Sequence, residues 1–275
     1  MTLIRSYFIR CFKILMHPIF LMSGLALIIA ATDIQANEHY LRFGFGLDHP
    51  ETSYFQDEYC NVTDDERPLY GCGIGRDGIS PIRSLGNFGN VPVVEFGIGY
   101  PSGRTRWELL IEYRPSLSFS GNATYFGSFA AVASSKNITS LSGMVAGFID
   151  FKEVSLFNDR KAVPFVGAGL GIARNRLKGF QIKFPRTTTI VPGAEKTNLV
   201  WRIAAGIGFK LDENKTLDLA WHYTDLGSLY TGRGTGRNYL NVSGSPNPDV
   251  PDWHQIPTVA ELKGHGIRLS LRIKI

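Results

Sequence analysis

The last nine residues constrain the fold more than any other feature: Ile267, Leu269, Leu271, Ile273 and Ile275 alternate strictly with Arg268, Ser270, Arg272 and Lys274. Successive side chains on a strand point to opposite faces, so this is one strand with an apolar face and an ionic face. A helix would scatter the same charges around its circumference, and a strand buried on both faces would not tolerate them. The period returns seven times upstream. In 38–47, Leu41, Phe43 and Phe45 alternate with Tyr40, Arg42, Gly44 and Gly46; in 91–100, Val94, Phe96, Ile98 and Tyr100 alternate with Glu95, Gly97 and Gly99. In 106–119, Trp107, Leu109, Ile111 and Tyr113 oppose Glu108, Glu112 and Arg114, and a weaker segment covers 138–151. In 163–173, Val166, Ala168, Leu170 and Ile172 are separated by glycines, and in 199–211 Trp201, Ile203 and Phe209 oppose Arg202 and Lys210. The seventh, 216–224, sets Leu217, Leu219, Trp221 and Tyr223 against Asp218, Ala220 and His222.

Large apolar residues on one face and charges on the other suit either a soluble barrel with an apolar core or a membrane barrel turned the other way. An eight-stranded interior is only wide enough for side chains, and the Trp, Leu, Ile and Phe face is too bulky for it. The expectation is therefore an all-β, eight-stranded antiparallel transmembrane barrel, apolar outside and ionic within. Its connectors agree. Residues 101–105, 152–162 and 212–215 are short or moderate, whereas 48–90, 120–137, 174–196 and 225–258 are long and irregular. Short periplasmic turns and long extracellular loops are the asymmetry of such barrels. Tyr40, Tyr100, Trp107, Tyr113, Trp221 and Tyr223 fall near strand ends, where interfacial aromatic girdles are expected.

Only one apolar run approaches the ~20 residues of a spanning helix. Arg5, Arg10 and Lys13 precede Ile14–Ala31, and small or polar residues follow to Ala36. This layout reads as a secretory signal peptide over 1–36, with the barrel domain over 37–275. Without the leader, 26 basic residues stand against 23 acidic, and the formal charge falls from +5 to +3. Such an excess does not point to nucleic acid. Cys60 and Cys72 then form an even pair in an exported chain, read as a disulfide. It would staple the first long loop, by ~3 kcal/mol on the chain-entropy account.

The chain resembles the small OmpA/OmpX-type outer-membrane barrels, in particular the opacity-family surface proteins. The resemblance rests on Pro164-Phe165-Val166-Gly167-Ala168-Gly169-Leu170-Gly171, on Trp221-His222-Tyr223-Thr224-Asp225-Leu226-Gly227-Ser228, and on the alternating C-terminal segment. It implies an outer-membrane protein, not an enzyme, whose surface loops serve envelope integrity, adhesion or host interaction. Ile275 stands where such proteins usually end in an aromatic residue. Implied partners are outer-membrane lipid and lipopolysaccharide, the barrel-assembly machinery, and host surface molecules through the loops.

Arg42, Glu95, Glu108, Glu112, Arg114, Arg202, Lys210, Asp218, His222, Arg268 and Arg272 are expected to face the lumen as a paired ionic network, because unpaired buried charge is costly. The alternative is a narrow passive pore. His222 and Thr224 resemble the His-x-Ser pair of lipid A deacylases, yet the alternation turns them away from lipid. No cofactor or metal spacing is present. The first long loop holds eight acidic residues against three basic, whereas in the third Arg176, Lys178, Lys183, Arg186 and Lys196 oppose a single carboxylate, Glu195. These two loops are expected to attract each other across the barrel mouth, or the basic one to meet polyanions.

Overall fold

The computed structural model describes residues 39–60, 66–125, 131–155 and 161–275. The expected leader and its cleavage point lie outside these residues. The strands are β1 (Tyr40–Pro50), β2 (Ser53–Asp57), β3 (Glu66–Arg67), β4 (Ser84–Asn87), β5 (Val91–Ser102), β6 (Thr105–Ala123), β7 (Ala131–Asp150), β8 (Val154–Ser155), β9 (Lys161–Arg176), β10 (Gly179–Lys183), β11 (Thr187–Pro192), β12 (Glu195–Lys210), β13 (Lys215–Tyr230), β14 (Thr235–Leu240), β15 (Trp253–Gln255) and β16 (Thr258–Lys274).

Eight of them close a ring. β1 pairs with β5, β5 with β6, β6 with β7, β7 with β9, β9 with β12, β12 with β13, β13 with β16, and β16 returns to β1, every pair antiparallel. Closure leaves the ring without a free edge. Exterior and interior follow the alternation read from the sequence. Phe45 is 63% exposed and Leu199 84%, whereas Arg42, Glu112 and Arg268 are sealed inside. From Leu199 to Phe209 the outward face of β12 rises about 33 Å along the strand, or roughly 25 Å once a tilt near 40° is allowed for. That matches the apolar band of a membrane barrel. Tyr100 and Trp107 flank this belt at the short-turn end, with His39 packed on Tyr100 at 5.5 Å. Trp201 packs on Tyr223, and Trp221 stacks on His265, each at 5.5 Å. Tyr40 does not join a girdle. It points inward, buried, and its hydroxyl donates to Glu108 at 2.5 Å.

Much of what is described of the long connectors is strand. β1 continues through a kink into β2, β5 is the continuation of β4, β9 runs into β10, β11 into β12, β13 into β14 and β15 into β16, while β6 and β7 are unbroken. A second ring of pairings runs above the first, β2–β4–β6–β7–β10–β11–β14–β15 with β16 closing onto β2. The barrel thus extends well past its apolar belt as a tower. In the tower the chemistry of the two faces inverts: Phe180 and Ile182 of β10 point in while Gln181 and Lys183 point out. At β13 the change of layer is marked by a bulge between Asp225 and Ser228. Gly227 sits there at φ +76°, a conformation that favours glycine, and its N–H donates to Asp225 at 2.8 Å.

Candidate functional site

The lumen within the apolar belt is filled by one continuous ionic lattice. Arg42 donates from Nε to Glu95 at 2.6 Å and from Nη1 to Asp218 at 3.1 Å. Arg272 reaches Asp218 at 2.8 Å, and Arg106 bridges Glu108, Asp218 and Asp150 at 3.4, 3.5 and 3.2 Å. Arg202 links this layer to the next, contacting Glu95 at 3.3 Å and Glu112 more closely. Glu112 also holds Arg114 at 2.9 Å and Arg268 at 3.4 Å, and both of these arginines share Asp48, at 2.8 and 2.6 Å. Six arginines (42, 106, 114, 202, 268 and 272) thus face six carboxylates (48, 95, 108, 112, 150 and 218). Equal numbers let every buried charge find an opposite one, the condition under which such burial is tolerated.

The glycines opposite make room for these side chains. A Cβ on Gly46 would lie 2.8 Å from Arg268 Cδ, and one on Gly208 would lie 2.7 Å from an Asp218 carboxylate oxygen. Of the residues expected in this network, Lys210 does not belong to it. It lies half-exposed at the short-turn rim and pairs with Glu153 at 2.6 Å, because its strand ends there. Three members were missed: Arg106, Asp48 and Asp150. Arg106 was legible as the residue two before Glu108 on the inward face, and its guanidinium also lies 4.4 Å from the rings of Phe148 and Phe165. His222 and Thr224 face the lumen and are buried. Neither nitrogen of His222 has a hydrogen-bond partner among the described residues, so the ring fills space between the arginines.

Above the lattice the interior turns apolar. Phe55 packs against Phe180 at 4.6 Å and Phe119 at 4.8 Å, and Phe88 lies 5.3 Å from Phe119. Leu117, Ile138, Ile182, Val191, Leu226, Leu229 and Leu262 complete this core, all sealed from solvent. A cavity of about 10 Å³ separates the two layers, lined by Asp48 and Arg114 on one side and Leu117, Leu226 and Leu262 on the other. That is room for about one water molecule.

The first long connector is fastened twice outside the membrane belt. Cys60 and Cys72 are joined as a disulfide. Beside it Asp57 accepts the backbone N–H groups of Leu69, Tyr70 and Gly71 at 2.8–2.9 Å. Burial still pushes the Asp57 carboxyl above its ordinary range, the three N–H groups acting against it. The expected attraction between the acidic first and basic third connectors takes another form. They meet through Phe55 and Phe180, and no ion pair joins them among the described residues; Asp64 and Asp65 lie outside these. Glu66 instead holds Arg233 of the fourth connector at 3.3 Å.

Arg176, Lys178, Lys183 and Arg186 all lie exposed on the tower. Lys196, also exposed, has its ammonium 3.7 Å from the centre of the Tyr230 ring. Arg174, missed in the sequence, stands below Arg176 and is paired with Glu195 at 2.6 Å.

No protein-family model and no curated protein matches the chain. Solved structures of small outer-membrane barrels do align over most of it. The Neisserial surface protein NspA is 11% identical, with a TM-score of 0.36 over 86% of this chain and 97% of that one. The outer membrane protein OprG of Pseudomonas aeruginosa is 11% identical, with a TM-score of 0.44 over 87% and 96%. Ail, the attachment invasion locus protein of Yersinia pestis, solved with the heparin analogue sucrose octasulfate, is 8% identical, with a TM-score of 0.27 over 84% and 99%. At these values the likeness is one of general layout.

Proposed function

We propose that the chain is a sealed outer-membrane barrel whose role is structural and interactive: it holds a rigid tower above the outer leaflet and presents the tower's tips to the surroundings. The single observation behind this reading is the double closure of the interior. A charge-balanced lattice fills the membrane portion, and an apolar core rich in aromatic rings fills the portion above it. A pore needs a continuous water path, and an eight-stranded interior filled by side chains leaves none. Catalysis on lipid finds no support in His222 and Thr224, which face the sealed lumen while lipid lies outside.

With its apolar belt in the bilayer, the protein would take its place beside lipopolysaccharide through the barrel-assembly machinery. Its contribution would be envelope integrity together with adhesion or host contact at the tips. Single-channel recording in planar bilayers tests the reading: purified protein is expected to insert, shown by heat-modifiable gel migration, and to give no steady conductance. A steady, voltage-independent current would replace it with the passive pore.

A further inference from the structure

The outward face of β9 changes character abruptly as it leaves the apolar belt. Leu170 and Ile172 are lipid-like and exposed, and the next outward positions are Arg174, Arg176 and Lys178. Register fixes their height. Arg174 is the cross-strand partner of Leu141 on β7, itself 49% exposed, so it stands at the upper edge of the belt. Arg176 and Lys178 follow about 7 and 13 Å further along the strand, less in height once tilt is counted. Exposed Lys136 of β7 stands within a residue of the level of Lys178, since β7 and its neighbour keep one register from Thr139–Arg176 to Ser134–Gln181.

Headgroups occupy roughly 5–8 Å beyond the hydrocarbon on each side. An arginine or lysine side chain on these rows therefore ends among them. The panel is also short of counter-charge. Arg174 uses Glu195, but Arg176, Lys178 and Lys136 have no carboxylate within ion-pair distance among the described residues. On other parts of the tower Arg233, Arg237 and Lys263 each hold one.

We infer that Arg176, Lys178 and Lys136 form a membrane-proximal site for the phosphate groups of an outer-leaflet glycolipid of the lipid A type. Lys183 and Arg186 stand apart from it. Lys183 is seven residues beyond Arg176, about 23 Å of strand, and clear of the headgroups. Of the five cations grouped from the sequence as one polyanion-contacting loop, Arg176 and Lys178 stand at lipid level, Lys183 and Arg186 lie beyond it, and Lys196, the cross-strand partner of Asn175, is engaged with the Tyr230 ring. The inference rests on the membrane-spanning reading proposed above.

The test uses the full chain folded in phosphatidylcholine nanodiscs carrying trace lipid A, either bis-phosphorylated or dephosphorylated, with retained lipid measured by native mass spectrometry. The wild type is expected to retain the phosphorylated form selectively. Each cation near an anionic headgroup contributes about a fivefold preference, so K136A/R176A/K178A should lower retention on the order of a hundredfold. K183A/R186A should leave it unchanged. Equal retention of the two lipids by the wild type, or undiminished retention by the triple variant, overturns the inference. So does displacement of bound lipid by a soluble sulfated oligosaccharide that binds the wild type and not the triple variant, which would assign the panel to soluble polyanions. Heat-modifiable migration of every variant reports folding separately: a wild type that never folds in the bilayer defeats the membrane reading itself, whereas folded protein without phosphate selectivity defeats only the lipid site.

Discussion

Glu112 is the residue on which most of the lattice converges, since Arg114, Arg202 and Arg268 all turn to it. Replacing it with Gln keeps the shape and removes the charge, leaving three guanidiniums in a sealed space with only Glu95 and Asp48 nearby. Glu112→Gln is expected to lower stability by about 3–5 kcal/mol in urea unfolding from lipid vesicles. On the outer face, Ile203→Lys should cost about 2–4 kcal/mol in the same measurement, because position 203 lies near the middle of the belt. At this scale most of the interior was legible. Strict alternation placed Arg42, Glu95, Glu108, Glu112, Arg114, Arg202, Asp218, Arg268 and Arg272 on one face, and the barrel brings them together. What parity could not convey was height. Lys210 and Tyr40 both obey the alternation, yet one escapes to solvent at the rim and the other is drawn inward by Glu108.

Among the elements, β6 is the least regular wall. It pairs with β5 up to Tyr113–Val94 and with β4 from Ser120–Asn87, in the same register, but nothing pairs between. Pro92 and Pro115 face each other across that interval, and neither has an N–H to give. On its other side β6 slips against β7 around Ser116. The Ser116 amide should therefore exchange with deuterium at least tenfold faster than that of Ile111, which has cross-strand partners in Phe96 and Gly143; equal protection would mean the seam is closed. The belt portions of the strands were legible because lipid outside and charge inside enforce one pattern. The tower strands were not, and the reason is physical. Above the belt water replaces lipid, and the parity itself slips by one: Arg106, Glu108, Glu112 and Arg114 face inward at even positions, Pro115 and Ser116 are both exposed, and the apolar Leu117 and Phe119 face inward at odd ones. A pattern sought as apolar-out ends where the belt ends, and the kinks at Glu51, Leu177 and Gly193 break what is left into pieces short enough to pass for loops.

Residues 39–275 form a tall closed barrel with two stacked interiors, and the disulfide joins only a local stretch of its crown. Cys60→Ser/Cys72→Ser should leave the thermal unfolding of the barrel within experimental error of the wild type. Protease added to intact cells should then cut between residues 60 and 72 and spare the tower walls; cleavage spreading into β2, β4 or β10 would show that the staple, not the aromatic core, holds the tower. The hydrogen-bonded walls have a consequence for how such a surface can change over time. Most belt staves are paired with both neighbours over much of their length, so an insertion in one would have to be matched next door. Length can vary freely only at the four hairpin ends, between β2 and β4, β6 and β7, β10 and β11, and β14 and β15, while the walls admit exchange only at outward positions. An antibody or receptor approaching the cell would meet a fixed shaft carrying an interchangeable crown, and escape from recognition would be written almost entirely in the crown.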